Sequence, residues 1–232
     1  MRQTHDLGQL EWQLAGFTPH TWRGQKSMEV GFPPQAEVAP VPARVPGSVQ
    51  QALRDAGLLP DWNVGLDSRL CEWVEHRHWM YQVRLPDEWV AGPGACRLVC
   101  LGLDGPGWVF LNGREVARFD NAFVPHAFDL SGLLRAEGNT LQIVFDAPPR
   151  WLGQCGWTSR MTEWKPRFNY TWDWLPRLVQ VGIWDGLFLE RSDGQEIASL
   201  RAAAEFDERR GLGALRVRGQ AAAGEGSRLR LR

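Results

Sequence analysis

The chain has 232 residues and a formal net charge of −1, so its charge offers no general attraction to nucleic acid or to an anionic membrane. Hydrophobic residues make up 44% of the sequence, which is enough to build a buried core, and no apolar run reaches the roughly 18 residues of a membrane span. Thirteen tryptophans stand against two tyrosines. Because an indole combines a large apolar ring with one N–H donor, this excess suits both a core and a surface that stacks on sugars.

The first residues, MRQTHDLGQLEWQL, contain early acidic residues and no continuous apolar stretch, which is not typical of a signal peptide. The cysteines are Cys71, Cys96, Cys100 and Cys155. Cys96 and Cys100 are expected on one strand, roughly 13 Å apart, which is too far for a disulfide. Without a CxxC pair, the sequence predicts reduced thiols, a cytoplasmic location, and neither a metal nor another cofactor.

The first 60 residues predict a strand, a loop and a helix, in that order. LEWQLAGF is the strand candidate, and residues 18–47 are rich in Pro and Gly, which is typical of an extended loop. In PGSVQQALRDAGLLP, Ser48 can cap a helix and Gln51 can complete a capping box ahead of an apolar stripe at helical spacing. Gly57 ends this helix and Pro60 prevents its continuation.

From residue 79 onward the patterns are those of β-strands. WMYQVRL alternates apolar and polar residues, CRLVCLGL is mostly apolar, and WVFLNGREVARF predicts a hairpin whose Asn112-Gly113 pair suits a type I′ turn. HAFDLSGLL, NTLQIVF and RLVQVGIWDGLFLE supply further strands. Short strands separated by turn residues, with one short helix, predict an all-β sandwich.

Residues 191–232 differ from the segment before them, because they hold few aromatic and many charged residues. ASLRAAAEF and GALRVRGQAA are two strand candidates separated by a turn. About forty residues cannot bury a core by themselves. The segment is therefore either a flexible tail or the opening of a second β-domain, and the alternation of its residues favours the second interpretation.

Five motifs carry a family resemblance: LEWQL, VPGSVQQALRDAGLLPD, EWVEHRHWMYQVRL, GLDGPGWVFLNGREVARFDNAFVPHAFDLSGLLRAEGNTLQIVF and FNYTWDWLPRLVQVGIW. Over residues 8–190 the chain resembles the N-terminal sugar-binding domain of family 2 glycoside hydrolases, in the β-mannosidase branch. The resemblance implies a jelly-roll β-sandwich, galactose-binding-domain-like, for residues 1–190. It implies the incomplete start of an immunoglobulin-like domain for residues 191–232.

In enzymes of this family a (β/α)₈ barrel follows and carries the catalytic carboxylates. The Asn-Glu dipeptide typical of the acid/base residue is absent from this sequence. The resemblance therefore implies a domain without catalytic residues that contacts such a barrel within one protein. The parent enzyme would hydrolyse β-glycosidic bonds with retention, through two carboxylates.

The candidate site is YTWDWLPR, residues 170–177. In an extended strand Trp172 and Trp174 would share one face and Asp173 the other, whereas a loop at the sandwich rim would let all three converge. An indole can cover a sugar face and a carboxylate can accept hydrogen bonds from two hydroxyls. The resemblance implies that Trp172 and Asp173 contact the non-reducing-end sugar, a β-linked mannoside or a related sugar, with Trp174 beside them and Arg177 as a brace.

Two positions depart from the family pattern, which reads Gly-Trp-Asp-Trp-Gly-Pro-Arg. Thr171 and Leu175 stand where that pattern has glycines. Glycine permits positive φ or a close backbone approach, and Thr and Leu resist both. The path of the loop and the preference for mannose are left open by this difference.

Other residues fit simpler roles. Glu72 and Glu75 are more typical of a charged surface than of a sugar-lined rim, and His76 and His78 lack a third ligand for a metal. Asn121, in FDNAF, fits a turn better than a ligand site.

Three alternatives to the proposed role are open at this stage. The chain could be a stand-alone lectin-like carbohydrate-binding module, or a structural spacer whose tryptophans are all buried. A hydrolytic pair of its own, such as Glu163 and Asp173, is the weakest alternative, because modules of this fold normally bind sugars without cutting them. If the rim hypothesis is right, the ring of Trp172 should be partly exposed to solvent.

Overall fold

A computed structural model of the chain describes residues 2–25, 36–92, 94–150 and 162–222. In chain order the strands are β1 (Arg2–Asp6), β2 (Trp12–Phe17), β3 (Val38–Ala43), β4 (His78–Arg84), β5 (Ala95–Cys100), β6 (Leu103–Asp104), β7 (Gly107–Leu111), β8 (Arg114–Phe119), β9 (His126–Asp129), β10 (Thr140–Phe145), β11 (Gly182–Ile183), β12 (Leu187–Ser192), β13 (Glu196–Asp207) and β14 (Leu212–Ala222). The α-helices are α1 (Thr21–Gly24), α2 (Val49–Asp55) and α3 (Asp87–Val90). Within these described ranges, 3₁₀ helices span Leu7–Gln9, Asp67–His76 and Arg167–Tyr170.

Two antiparallel sheets form the sandwich. One has the order β3-β2-β4-β10-β7-β8 and the other the order β1-β12-β5-β9. Residues from both sheets meet in one buried cluster, to which Tyr81 and Ile143 contribute from the larger sheet and Leu98 and Leu189 from the smaller. The all-β jelly-roll prediction is confirmed.

Side-chain alternation gives the larger sheet two apolar faces. In β10, Ile143 lies in the core between the sheets, whereas Val144 belongs to a second buried cluster on the outer face. Trp22, from α1, packs into this outer cluster beside Trp108 and Phe110. Residue period two explains how one strand buries both of its faces.

The prediction of a continuous loop over residues 18–47 is wrong in its described part, because this segment contains α1 and β3. Pro40 and Pro42 hid the strand in the sequence, since proline cannot donate to a sheet ladder. β3 is nevertheless possible because it is an edge strand that pairs only with β2. β1 was also missed, because RQTHD is polar and shows no apolar alternation.

The predicted helix is present as α2. The hydroxyl of Ser48 accepts a hydrogen bond from the backbone N–H of Gln51 at 3.1 Å, and Gly57 follows with a φ of 73°. The Gln51 side chain does not return a bond to the backbone N–H of Ser48, and its Nε2 donates to Oδ1 of Asp55 at 2.7 Å. The N-cap is therefore confirmed and the box is not.

The predicted hairpin joins β7 and β8. Asn112 and Gly113 have φ values of 54° and 81°, as a type I′ turn requires. The Asn112 side chain also accepts from the backbone N–H of Thr140 at 2.9 Å, which ties the turn to β10. The local turn chemistry is thus confirmed, and the long-range tie is added by the fold.

Both strands predicted in the final segment are present, as the hairpin β13–β14. Its register places Leu200 and Phe206 on one face with Leu215, and Arg201 on the opposite face with Arg218. These three apolar side chains are exposed. The guanidinium of Arg97 bonds Glu190 at 2.8 Å and Glu196 at 3.0 Å, and so links the smaller sheet to the start of the hairpin.

Cys96 and Cys100 both lie on β5 and, like Cys71, they are free thiols. Cys155 lies outside the described residues. Across the parts of the chain that the structure describes, no helix is both long and apolar enough to span a membrane.

Candidate functional site

The candidate residues lie on the rim loop, which joins the 3₁₀ helix Arg167–Tyr170 to β11. The base of the loop is closed by the backbone N–H of Leu178, which donates to the carbonyl of Asn169 at 3.0 Å. Near its tip, Trp172 and Leu175 form an isolated antiparallel bridge, with N···O distances of 3.3 and 3.5 Å. Asp173 and Trp174 are therefore the corner residues of a tight two-residue turn.

The two tryptophans of this turn project into solvent. Trp172 is 42% exposed and Trp174 is 77% exposed, and their ring centroids lie 6.3 Å apart with the planes at 89°. The predicted exposure of Trp172 is confirmed. Two exposed indoles give up the hydrophobic stabilisation that their burial would provide. Neighbouring exposed aromatic rings therefore indicate a surface that contacts a ligand or a partner.

A cavity of about 510 Å³ opens beside the turn and is lined by Arg167, Phe168, Trp172, Trp174 and Leu175. Its volume lies within the range of about 300–1,000 Å³ that is usual for small-molecule sites. Asp173 is exposed and lies between the two tryptophans in sequence, but it does not line this cavity. The structure therefore brings Trp172 and Trp174 to one concave surface and leaves Asp173 at the turn.

Arg177 is turned toward the interior of the domain. Its Nη2 donates to Oε1 of Glu75 at 2.6 Å, and its guanidinium lies 5.3 Å from the ring centre of Tyr170. Glu75 is only 6% exposed, so the expectation that it is a surface charge is wrong. The 3₁₀ helix Asp67–His76 turns this carboxylate inward, where Arg177 neutralises it.

The first variant position, Thr171, has a backbone geometry that favours glycine. Thr171 has a φ of 124° and a ψ of 149°, a region that is essentially reserved for glycine. Placing a β-branched residue there costs about 1–3 kcal/mol. Leu175, at the second variant position, has no positive φ and instead lines the cavity.

Several buried polar residues below the loop were not singled out by the sequence. Nζ of Lys165 donates to Oδ1 of Asp104 at 2.6 Å and to the carbonyl of Gln180 at 2.5 Å. Burial lowers the pKa of Lys165 and raises that of Asp104, and each partner's charge opposes the shift of the other. No sequence signal joins these two residues, because 61 positions separate them.

The two candidate metal ligands have separate environments. His76 ends the 3₁₀ helix, whereas His78 begins β4, where its Nδ1 accepts from the indole of Trp22 at 2.9 Å. Its Nε2 therefore carries the proton and lies 2.7 Å from Oδ1 of Asp146. Among the residues described, no group of three or more His, Cys, Asp or Glu side chains could hold a metal ion.

Asn121 has the predicted turn role. Its side-chain oxygen accepts a hydrogen bond from the backbone N–H of Phe123 at 2.9 Å. The turn brings Phe123, which is 60% exposed, near Trp164, whose carbonyl accepts from the N–H of Ala122 at 2.8 Å. Exposed aromatic side chains therefore extend along the rim beyond the turn itself.

Among curated relatives, the chain is 31% identical over 170 residues to beta-mannosidase B of Thermothelomyces thermophilus and covers 20% of it. It is 32% identical over 160 residues to beta-mannosidase B of Emericella nidulans and covers 19% of that protein. These matches use 68% and 63% of this chain. The chain thus spans about one fifth of the length of the curated relatives it matches.

Among solved structures, the chain superposes on a beta-D-mannosidase from Dictyoglomus thermophilum with a TM-score of 0.69 at 24% identity. This superposition covers 87% of the chain and 24% of the mannosidase. A β-glucuronidase from Ruminococcus gnavus gives a TM-score of 0.63 at 17% identity, covering 96% of this chain and 34% of the glucuronidase. At these identities the likeness concerns the fold.

One family accounts for the sandwich, the helix and the rim loop together. The family described as "Glycosyl hydrolase 2 galactose-binding domain-like" matches residues 22–185. These residues include β3 to β11 and the whole candidate loop. The chain belongs to the galactose-binding-like domains of the family 2 glycosyl hydrolases.

Proposed function

We propose that this chain is the non-catalytic, sugar-contacting domain of a β-mannosidase-like family 2 glycoside hydrolase. The observation that carries the proposal is the exposed Trp172–Trp174 turn beside an open cavity. Its relatives named beta-mannosidase B are about five times as long as the matched segment, which leaves room for a catalytic barrel. In this proposal the barrel supplies both catalytic carboxylates and this chain supplies none.

The turn has the chemistry of a sugar platform. The indoles of Trp172 and Trp174 offer apolar faces for the C–H bonds of a pyranose ring, and Asp173 can accept charge-assisted hydrogen bonds from two neighbouring hydroxyls. Arg177 is tied to Glu75, so we assign it the role of a brace that acts on the turn. The ligand that fits is the non-reducing-end residue of a β-linked mannoside or a related sugar.

The rim around the turn is the proposed surface for the catalytic barrel. Its exposed aromatic side chains include Phe123, Trp164 and Phe168, each more than half exposed. Aromatic residues are enriched where protein surfaces are buried against a partner. A barrel docked on this rim would cover these rings and complete a closed sugar pocket around Trp172.

We also propose that residues 191–232 begin an immunoglobulin-like β-domain. The hairpin β13–β14 has an exposed apolar face that includes Leu200, Phe206 and Leu215, while its other face carries arginines. A two-stranded hairpin is not stable alone, so this face needs further strands to pack against. Those strands would follow in a longer protein.

A stand-alone carbohydrate-binding module is the second candidate. The supporting observation is that the cavity beside Trp172 and Trp174 is formed within this chain, without help from another domain. In such a module the 232-residue chain would bind a monosaccharide by itself. The enzyme-domain proposal predicts weak binding instead, because half of the pocket is contributed by the barrel.

The deciding experiment is to sequence the gene downstream of Arg232 and to express the complete reading frame. The proposal expects a barrel with paired carboxylates and hydrolysis of an aryl β-mannoside. Trp172→Ala and Asp173→Asn should then each lower kcat/KM by about 10–100-fold, because the first removes the stacking ring and the second removes the charge and one acceptor oxygen from the hydrogen bonds to the sugar. A stop codon after Arg232, together with tight mannose binding by the chain in a calorimetric titration, would overturn the enzyme-domain proposal in favour of the module.

A further inference from the structure

The outgoing limb of the rim loop, residues 179–181, is held by side chains and by one neighbouring segment rather than by a sheet. The backbone N–H of Val49 donates to the carbonyl of Val181 at 2.8 Å. Between Arg177 and the start of β11, the carbonyl of Val179 accepts from Nε2 of Gln50 at 2.6 Å, and the carbonyl of Gln180 accepts from Nζ of Lys165 at 2.5 Å. The backbone N–H of Val181 approaches Oε1 of Gln50 at 3.4 Å. Buried backbone groups need partners, and here side chains from distant segments provide them.

Each of these side chains is itself fixed in the interior. Gln50 lies on α2 and is 1% exposed, and Lys165 is 4% exposed and paired with Asp104 on β6. The third contact is the pair between Glu75 and Arg177. Because these three side chains come from separate buried segments, together they hold the limb rigidly.

The incoming limb is fixed as well. Asn169 and Tyr170 are buried, and Asn169 receives the base hydrogen bond from Leu178. Residues 171–176 between the two held limbs are all exposed. The strained backbone of Thr171 lies directly at this boundary. A residue in such a conformation persists only where the surrounding structure over-determines it.

We propose that Gln50, Glu75 and Lys165 are positioning residues that clamp the outgoing limb and hold Trp172 and Trp174 in the orientation that meets the sugar. This inference rests on the proposed function, because the orientation matters only if a sugar meets the turn. Without the clamp the turn would relax from the strained Thr171 conformation, and binding would have to order it again. That ordering cost would weaken sugar binding through the turn.

The first test measures the order of the loop in the 232-residue chain by hydrogen exchange. Gln50→Leu removes the side-chain bonds to the outgoing limb, and Gln142→Leu is the matched control, since Gln142 is equally buried but bonds to Gln82 on the larger sheet. We expect the amides of Leu175 and Leu178 to exchange at least about tenfold faster in Gln50→Leu and to change less than about twofold in the control. Glu75→Gln is the milder variant if Gln50→Leu fails to fold.

The second test is a double-mutant cycle in the complete enzyme. We expect Gln50→Leu to raise KM for an aryl β-mannoside about tenfold with little change in kcat, and to have almost no further effect when Trp172 is already alanine. Unchanged exchange in both clamp variants would overturn the clamp. Additive effects of Gln50→Leu and Trp172→Ala would overturn its role in presenting the tryptophan.

The two proposals fail in different ways. Faster exchange in Gln50→Leu, combined with a Trp172→Ala enzyme of unchanged kcat/KM, would refute the sugar contact proposed for the turn, and the positioning role would fall with it. Unchanged exchange combined with a strongly impaired Trp172→Ala enzyme would leave the sugar contact standing and refute the clamp alone.

Discussion

Trp79 in β4 is fully buried, and its indole N–H donates to the carbonyl of Val74 at 2.8 Å, whereas Trp174 in the rim loop is 77% exposed. The backbone of Trp79 pairs with Gly16 on β2 and with Phe145 on β10. The backbone around Trp174 makes one isolated bridge. The same side chain therefore serves the core in one region and a surface in the other.

The two regions differ in which groups form hydrogen bonds with their backbone N–H and C=O groups. In the sandwich, ladder hydrogen bonds fix the strands, and period two then sends each side chain to a definite face. At the rim, side chains such as Gln50 and Lys165 take the place of a neighbouring strand. The rings of that loop are thereby released from packing and become available to a ligand or a partner.

The largest expected effect compares the two tryptophans directly. Trp79→Ala should lower the free energy of unfolding by about 3–5 kcal/mol, because it removes a fully buried ring and leaves a cavity. Trp174→Ala should change it by less than about 0.5 kcal/mol, as is usual for an exposed side chain. Denaturant unfolding of both variants measures this, and equal losses would show that Trp174 is buried in solution.

The clamp side of the comparison is tested by Lys165→Met. Removing the ammonium leaves Asp104 buried without its partner and should cost about 3 kcal/mol of unfolding free energy. Adding Asp104→Leu should recover much of this loss, since the orphaned carboxylate is then gone. If the double variant is no more stable than Lys165→Met, the carboxylate is not the source of the cost.

The strain of the rim backbone is tested by Thr171→Gly. Glycine adopts a φ of 124° without a side-chain penalty, so the free energy of unfolding should rise by about 1 kcal/mol after the entropy cost of glycine is subtracted. Thr171→Ala keeps a Cβ and should bring little gain. A destabilised glycine variant in denaturant unfolding would contradict the strained conformation.

The smallest effect concerns acid stability of the outer face of the larger sheet. Burial raises the pKa of Asp146, but the hydrogen bonds from His78 and from the backbone N–H of Ala147 outweigh burial, so the net pKa is lowered. A carboxyl group with a lowered pKa in the folded state stabilises the fold at pH values above its unfolded pKa of about 4. This stabilisation is lost as the pH falls through the folded pKa.

Asp146→Asn should therefore show a shallower loss of stability than the unmodified chain as the pH is lowered from about 5 to below 4. Denaturant midpoints measured across this range provide the comparison. Asp129 is exposed and lies away from His78, and hydrogen bonds from Ser131 lower its pKa as well. Asp129→Asn therefore serves as a comparison for a carboxylate that a different partner holds. Parallel pH curves for the Asp146→Asn variant and the unmodified chain would show that His78 does not hold this carboxylate ionised.

Local chemistry was sufficient to predict much of the fold. Ser48 ahead of an apolar stripe located α2, and Asn112-Gly113 located the β7–β8 turn, because capping and positive φ depend on a few adjacent residues. Alternation located most of the strands for the same reason. The strands β1 and β3 escaped, since one is polar and the other contains prolines that only an edge position tolerates.

The sequence by itself determined the all-β sandwich and the Asn112-Gly113 turn, because these follow from residue type and short-range period, and the family resemblance pointed to Trp172 and Trp174. The two-residue turn that carries these tryptophans was decided by the tertiary structure. Only the tertiary structure decided that Glu75 is buried against Arg177, that Lys165 pairs with Asp104, and that Gln50 bonds a limb 129 residues away. Those contacts satisfy buried polar groups by meeting across the fold. No local pattern encodes such a partner, because the pairing depends on where the folded backbone brings each side chain.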